Sequence, residues 1–482
     1  MLAPPPCDLD GMAQYVPTAN KPWNEQRIQH LYRRMGFGAD KATIQSALSI
    51  GPDVLIDQLI DEAVNMPLTP APAWGNWVLS DYANVEVEGP QQVLDWYVQF
   101  IQDMRNNGLR DKLTLFWSNH FVTQLDVYKC PSYMFQYYNL LQQHGTGNFR
   151  DFAHAVGISP AMIVFLNSYQ NTAASPNENY ARELYELFTL GVNNGYTQND
   201  IVETAKAITG WNGFTDYCAP ITFSDATHSH ESKTIFGQTG DWGYDDVIAI
   251  LFAQRSTEVA RFICGKLYEF FVSPVPDPTI IDQLVTSFIN SDFEIAPVLR
   301  QLFKSEHFFD EDVIGVRIKS PMEMLISFIK QGQFSTTQEI LGGTQYYGAL
   351  LGQQIFDPVD VAGWQENHEW INTSTITGRW LVTGYYAGWL YQNHPEELGA
   401  LALALVGPTT DPALATRRII DFFTPRGLVT QAEYDQATQV FKWEVPQNYY
   451  DSNAWNLDWS TVPAQVYFLL IHLSHMPEFQ LA

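Results

Sequence analysis

Apolar residues recur at three- and four-residue spacing through most of the first two hundred positions, the period that turns one face of an α-helix towards a core. The spacing predicts helices over Trp23–Met35, Lys41–Glu62, Val93–Arg105, Leu109–Phe121, Tyr133–His144, Asn148–Ile158, Pro176–Gly191 and Asp200–Thr209. Strand-like alternation is scarce before residue 210. Between Trp211 and Gly243 the period breaks into Gly, Thr, Asp and aromatics, with short strand candidates at Ile221–Phe223 and Thr234–Phe236, the pattern of a long loop or small hairpin. Helical spacing resumes at Asp245–Phe252, Thr257–Phe271, Asp277–Ser287, Ile295–Phe303, Ser320–Lys330 and Thr375–Gln392, with an irregular insert at Gly342–Ser374. No fixed period repeats, which disfavours a solenoid.

The fold class that follows is mainly α: one large multi-helix domain with long irregular loops and at most small β-hairpins. We divide the chain into an N-terminal extension over 1–22, a helical core over 23–407, and a C-terminal helical part over 408–482. Within that last part 408–460 reads as peripheral, and Val466–Leu473 as packing back on the core.

Composition sharpens this picture. The chain has 482 residues, 46% hydrophobic and only 16% charged, with 14 Trp, 24 Tyr and 29 Phe, the balance of a packed protein rather than a disordered one. Acidic residues outnumber basic ones 53 to 26, a net charge of −27, so the average field repels phosphate backbones and nucleic acid is not an expected partner. The adjacent basic pairs, Arg33-Arg34 and Arg417-Arg418, read as helix surface or local ion pairing. Cys7, Cys130, Cys218 and Cys264 are far apart, without metal-knot or dithiol spacing; one or two disulfides are open to them. The N-terminus, Met-Leu-Ala-Pro-Pro-Pro-Cys, lacks the basic and apolar regions of a signal peptide, as would a chain whose signal had been cleaved. The longest apolar stretch, Leu398 to Val406, is far short of the roughly 20 residues that cross a bilayer, so no membrane span is expected.

Candidate chemistry gathers on a few segments. In Ser175-Pro-Asn-Glu-Asn-Tyr-Ala-Arg-Glu-Leu-Tyr-Glu-Leu-Phe-Thr-Leu-Gly191, Ser175, Pro176 and Glu178 read as a capped helix start and Gly191 as its stop. Asn179, Arg182, Glu183 and Glu186 fall on one arc of that helix, opposite Tyr180, Leu184, Leu187 and Phe188. Such an arc is a solvated face, a buried ion network or a site. Next, Thr197 and Asp200 form a second capping box, leaving Glu203 free. His120 closes an apolar helix among aromatics, and His228, His230, Glu231 and Lys233 stand in the irregular loop.

These segments resemble a known family. Asn148-Phe-Arg-Asp, Ser159-Pro-Ala-Met, Asn177-Glu-Asn-Tyr-Ala-Arg-Glu-Leu, Leu187-Phe-Thr-Leu-Gly, Gly195-Tyr-Thr-Gln and Thr209-Gly-Trp resemble the signature of the domain of unknown function 1800. His30-Leu-Tyr-Arg-Arg-Met-Gly-Phe-Gly38, Phe116-Trp-Ser-Asn-His-Phe121, Lys319-Ser-Pro321, Leu351-Gly-Gln, Val361-Ala-Gly-Trp364 and Pro477-Glu-Phe-Gln-Leu-Ala482 agree with it, so the resemblance spans almost the whole chain. It implies a bacterial, exported protein, often encoded beside another uncharacterised exported family, whose activity is not established. Two departures stand out: His228-Ser-His-Glu-Ser-Lys233-Thr replaces the His-Asp-x-Gly-x-Lys-Thr that the resemblance implies, and Glu366-Asn367 replaces a Gly-Gly.

Two functional readings stay open. In the first, an exported enzyme has its site where the helices at 109–121, 176–191 and 197–209 meet the loop at 211–243. A divalent metal is held there by His120, Glu183 and His228, while Arg182, Glu186, Glu203 and Lys233 serve as acid–base or anion-holding groups. The Glu-x-x-His pair of di-iron helical proteins is absent, as are His-Glu-x-x-His, Gly-x-Ser-x-Gly and a phosphate loop. In the second, a non-catalytic envelope or surface protein binds glycan or a protein partner through aromatics such as Trp74, Trp77, Trp211, Trp242 and Trp364. The Asn372-Thr-Ser sequon reads as chance.

Overall fold

Helices dominate the computed structural model, which describes residues 11–482; Cys7 and the first ten residues of the extension lie outside it. The β content is two two-stranded antiparallel ribbons, Trp211–Asn212 with Thr222–Phe223 and Lys233–Ile235 with Gln238–Gly240, both inside the segment that broke the helical period. The class is mainly α, as the apolar spacing implies. Among the described residues no helix is long and apolar enough to cross a membrane.

In the first half, the Pro131–His144 helix packs on Leu109–His120, Val85–Asn106 and Phe149–Gly157. At their centre the wholly buried Trp117 donates its indole N–H to the Gly145 carbonyl at 2.9 Å. The Ser256–Phe271, Pro278–Asn290 and Ile295–Phe303 helices follow as an antiparallel series, closed by Ile295–Phe303 against Pro52–Asn65. At the far end Val462–Ser474 packs against Thr373–Asn393, Pro395–Val406 and Gln431–Phe441.

Several elements depart from the apolar period for local reasons. The stretch 41–62 is two helices, Lys41–Ala47 and Pro52–Asn65, because Gly51-Pro52 ends one and starts the other. The insert expected from Gly342 begins only after Leu350: Gln338–Leu350 is helical through its three glycines, and an added Cβ at Gly342 would meet Leu94 at 3.3 Å, so glycine lets this helix lie close on Val85–Asn106. Residues 408–460 are not peripheral, since Ile419, Ile420, Phe441 and Trp455 are wholly buried in the common core.

The Arg33-Arg34 pair corrects its surface reading. Both side chains are buried; Arg33 donates to the Phe422 carbonyl at 2.7 Å and Arg34 to the Val313 carbonyl at 3.3 Å, tying the first helix to distant segments. Burial without a carboxylate partner brings Arg33 down to about 9. Asn372 of the sequon is a helix N-cap, accepting from the backbone N–H groups of Ser374 and Thr375.

Candidate functional site

The helix expected over 176–191 is shorter and stranger than its letters suggest. No capping box forms at Ser175. Helical geometry starts at Asn179, runs to Glu183, and widens into a π-turn over Leu184–Thr189, with Leu190 N–H donating to the Tyr185 carbonyl five residues back. A π-turn leaves carbonyls near a helix end unpaired within the helix, a geometry recurrent at functional sites. One of these, Phe188 O, lies 2.9 Å from Nε2 of His120, on the last residue of the Leu109–His120 helix.

That contact sets the chemical state of His120. Burial, seconded by the nearby Lys266 charge, pushes its pKa down to about 3, so the ring is neutral at physiological pH. A neutral ring facing a carbonyl carries its proton on Nε2 and donates it to Phe188 O, which leaves Nδ1 as the lone pair.

His120 lines a cleft of about 380 Å³ between the end of its own helix, Leu187 of the π-turn, the Ser256–Phe271 helix and the loop around 362–367. Ser256–Phe271 supplies Lys266 and Glu269, one helical turn apart, and Phe270 below them. Gly363 lets the loop approach: its φ is +83°, and an added Cβ would collide with Asn119. Asn119 then clasps the loop backbone twice, accepting from Trp364 N–H at 2.6 Å and donating to the Trp364 carbonyl at 3.3 Å. Trp364 lines the cleft with its indole N–H buried and without an acceptor among the described residues.

Behind the cleft runs a line of charge, buried except at its cleft end, Glu366. Lys112 binds Glu323, Arg317 lies 3.8 Å from Glu323 and 3.6 Å from Glu366, and Asn119 donates to Glu366 at 3.1 Å. Glu323 also caps the Pro321–Gly332 helix in a capping box with Ser320; despite its burial, Lys112 and Arg317 hold it down to about 2. Glu366, at the cleft end of this line, goes the other way: enclosure by the cleft walls raises its carboxyl above the usual range although Arg317 opposes the rise. Burial raises Glu269 as well, against Lys266. One cleft thus holds two carboxyls shifted towards their acid forms, a neutral imidazole and the cations Lys266 and Arg317.

The seven residues singled out in the sequence do not share this cleft. His120 lines it. Glu183, half-buried on the segment leading to Leu187, has its pKa raised by burial first and by Glu186 second. Arg182 spans Glu178 at 2.9 Å and Glu186 at 3.4 Å and also donates to Gln198, so the polar arc is largely an ion network on the helix surface. Glu203 pairs with Lys206 at 2.8 Å and accepts from Thr234 N–H at 3.0 Å, pinning the hairpin to its helix, and that pairing holds its pKa low against burial. Lys233 is fully buried, donating to Ser229 O at 2.5 Å and to Asp241 at 2.8 Å. His228 contacts the Thr209 carbonyl through Nδ1 at 2.9 Å. Among the described residues, the sets of three metal-ligating side chains with donor atoms within 4.8 Å are His228/His230/Asp241 and His394/Glu396/Glu397, so His120, Glu183 and His228 do not converge on one ion. The Thr197–Asp200 capping box forms as its letters indicate, with Thr197 N–H on Asp200 at 2.8 Å and Asp200 N–H on Thr197 Oγ1 at 3.2 Å.

With this geometry in place, comparison with known proteins adds one finding. Residues 30–481 match the family described as "Protein of unknown function (DUF1800)". The chain belongs to the DUF1800 family. No curated protein and no solved structure matches it. Three segments that carry the DUF1800 resemblance, those at 116–121, 187–191 and 361–364, meet at the cleft. Where the DUF1800 pattern implies Gly-Gly, this chain places Glu366 and Asn367. Asn367 keeps the left-handed backbone that glycine suits, with φ +57°, and its side chain accepts from Ile318 N–H at 3.0 Å. Glu269 and Arg317 escaped sequence reading; a Lys266/Glu269 pair three residues apart on one helix was the signal available for the first, and none marked the second.

Proposed function

We propose that this protein is an exported enzyme whose reaction centre is the cleft between His120, Lys266, Glu269 and Glu366, acting by acid–base chemistry on a small polar substrate that bears negative charge. The observation that carries the reading is the gathering in one polar cleft of two carboxyls, both shifted by burial towards their acid forms, beside a neutral histidine and two cations, the kind of perturbed group set that acid–base sites use. Glu269 and Glu366 serve as the acid and base pair, His120 Nδ1 as a hydrogen-bond acceptor that orients the substrate, and Lys266 with Arg317 as the anion's counter-charge. The volume, about 380 Å³, lies at the small end of ligand sites. Export is supported by the Cys130–Cys218 disulfide, since such bonds persist mainly in oxidising compartments.

The test is a panel of chromogenic glycosides, carboxylic esters and phosphate esters turned over by the wild type, Glu269→Gln and Glu366→Gln, each shown folded by circular dichroism. The reading expects at least one class to be turned over, with a loss of about 100-fold or more in one or both variants. Turnover unaffected by both variants would remove the cleft from the chemistry.

A second reading, non-catalytic glycan binding, is favoured by a different observation. Trp74 and Trp364 are buried, and Trp77, Trp211 and Trp242 are partly covered. A groove of about 350 Å³ between the Gln338–Leu350 and Thr373–Asn393 helices is instead lined by Tyr346, Tyr347, Tyr385 and Trp389, with Tyr346 and Tyr385 exposed. Aromatic faces of this kind stack on sugar rings. A glycan array separates the readings: binding abolished by Tyr346→Ala with Tyr385→Ala, and no turnover on the panel, would favour the second.

A further inference from the structure

The loop that broke the helical period carries its own constellation, away from the acid–base cleft and independent of it. His228 is in extended conformation, φ −78° and ψ 146°, and in extended backbone side chains two apart share a side, so His228 and His230 present their rings together; their centroids are 5.1 Å apart. The hairpin brings the third member. Lys233 pairs with Gly240, and Asp241 follows that pair, returning the chain to His230. A donor atom from each of His228, His230 and Asp241 lies within 4.8 Å of the others.

Each side chain is oriented from behind. His228 Nδ1 lies 2.9 Å from the Thr209 carbonyl, so that nitrogen holds the proton and donates, and Nε2 is left as a lone pair. Thr209 is itself fixed, its hydroxyl accepting from Ser229 N–H at 2.8 Å. Asp241 Oδ1 accepts from the buried Lys233 ammonium at 2.8 Å, which leaves Oδ2 facing His230. His230 has Asp225 Oδ1 at 3.3 Å from Nε2 and Asp241 Oδ2 at 3.4 Å from Nδ1. Both separations are long for a charge-assisted hydrogen bond, which closes to about 2.7–2.9 Å. The 3.4 Å gap equals the edge, roughly 3.3–3.4 Å, between two ligands of a tetrahedral ion bonded at about 2.0–2.1 Å. A ligating imidazole whose other nitrogen donates to a carbonyl or carboxylate, and a ligating carboxylate held by a second donor, form the supporting shell that metal sites use.

We propose that His228, His230 and Asp241 bind a divalent transition ion of the zinc class, with at least one coordination position open to water or to an oxygen anion. Two imidazoles and one carboxylate suit Zn²⁺ and its neighbours over Ca²⁺ or Mg²⁺, which take oxygen shells. Three protein ligands make an open site rather than a closed structural one. His228 was already a candidate ligand by sequence; its partners are the neighbours on its own hairpin, not the helices across the fold. The other triad, His394/Glu396/Glu397, sits where a helix begins, and Glu397 is engaged by the Ser335 backbone N–H at 2.9 Å and by its hydroxyl. That triad serves as a control.

The test is titration of the full chain, stripped with chelator, with Zn²⁺ by calorimetry and with Co²⁺ by visible absorption near neutral pH, on the wild type, His230→Ala, Asp241→Asn and His394→Ala. His230 is exposed, so its removal leaves the fold intact, which circular dichroism checks. We expect one ion per chain in the wild type and in His394→Ala, and affinity weaker by at least about tenfold in His230→Ala and Asp241→Asn. No saturable binding in the wild type, equal binding in His230→Ala, or loss only in His394→Ala would each overturn the proposal.

Discussion

A histidine's charge is set by what surrounds it, and His120 is held neutral by burial and by the Lys266 charge, against the Phe188 carbonyl, whose hydrogen bond favours the protonated ring. The sign of the consequence follows. With a folded pKa of about 3 against about 6.5 in the unfolded chain, the fold favours the neutral ring. The His120 contribution is therefore whole above about pH 6.5 and is lost as pH falls towards 3. His120→Gln keeps a side-chain N–H for Phe188 O and cannot protonate. Urea unfolding of both proteins at pH 7.5 and pH 5 should show the wild type losing about 2 kcal/mol more than the variant between those values. Equal losses would mean that the ring is not held neutral. At this scale the letters were informative wherever the chemistry is local: Thr197 and Asp200 cap as a pair because three residues separate them. They were silent where tertiary placement decides, as at Arg33 and Arg34, which read as surface charge and are buried against carbonyls from residues 422 and 313.

Elements carry these side chains to one place. The end of the Leu109–His120 helix and the loop at 362–367 meet only because Gly363 takes a left-handed backbone against Asn119. Gly363→Ala adds a Cβ in a region that L side chains rarely adopt and drives it into Asn119, so stability should fall by about 1–3 kcal/mol. Thermal unfolding measures the loss, and any activity or ligand binding at the cleft should weaken with it. An unchanged midpoint would show that the loop approaches in another way. The apolar period located the helices that build the cleft but missed the π-turn that shapes it and one helix that lines the tyrosine groove instead. The π-turn at Leu184–Thr189 has the same letters as a regular helix, since one extra residue per turn is a tertiary accommodation. The helix over Gln338–Leu350 looked broken because Gly342 and Gly348, two of its three glycines, serve close packing against Leu94 and Met322 rather than a turn.

Across the whole molecule, the Cys130–Cys218 bridge joins residues 88 apart, fastening the first-half helices to the loop before the metal-competent hairpin. Cys264 is buried and free. In the chain-entropy picture a loop of this length is worth about 4.6 kcal/mol, so the double variant Cys130→Ser/Cys218→Ser should lose on that order in denaturant unfolding. A loss under about 1 kcal/mol would mean that packing alone holds the segment. The mainly α class was legible because periodicity is distributed over every helix. The position of the cleft was not, because Glu269, Arg317 and Glu366 come from three distant segments and the shifts of the two carboxyls arise from enclosure, which no spacing encodes. His120 alone among the seven singled-out residues lies on the cleft, and His228 found its metal-competent partners on its own hairpin. The central claim is that the enclosed cleft at His120, Glu269 and Glu366 is where this protein meets its substrate. Crystals soaked with mixtures of small carboxylic acids, phosphates and sugars test it most directly. The account predicts bound fragments in that cleft, with an oxygen against Lys266; fragments that gather only elsewhere, in the tyrosine-lined groove above all, would contradict it.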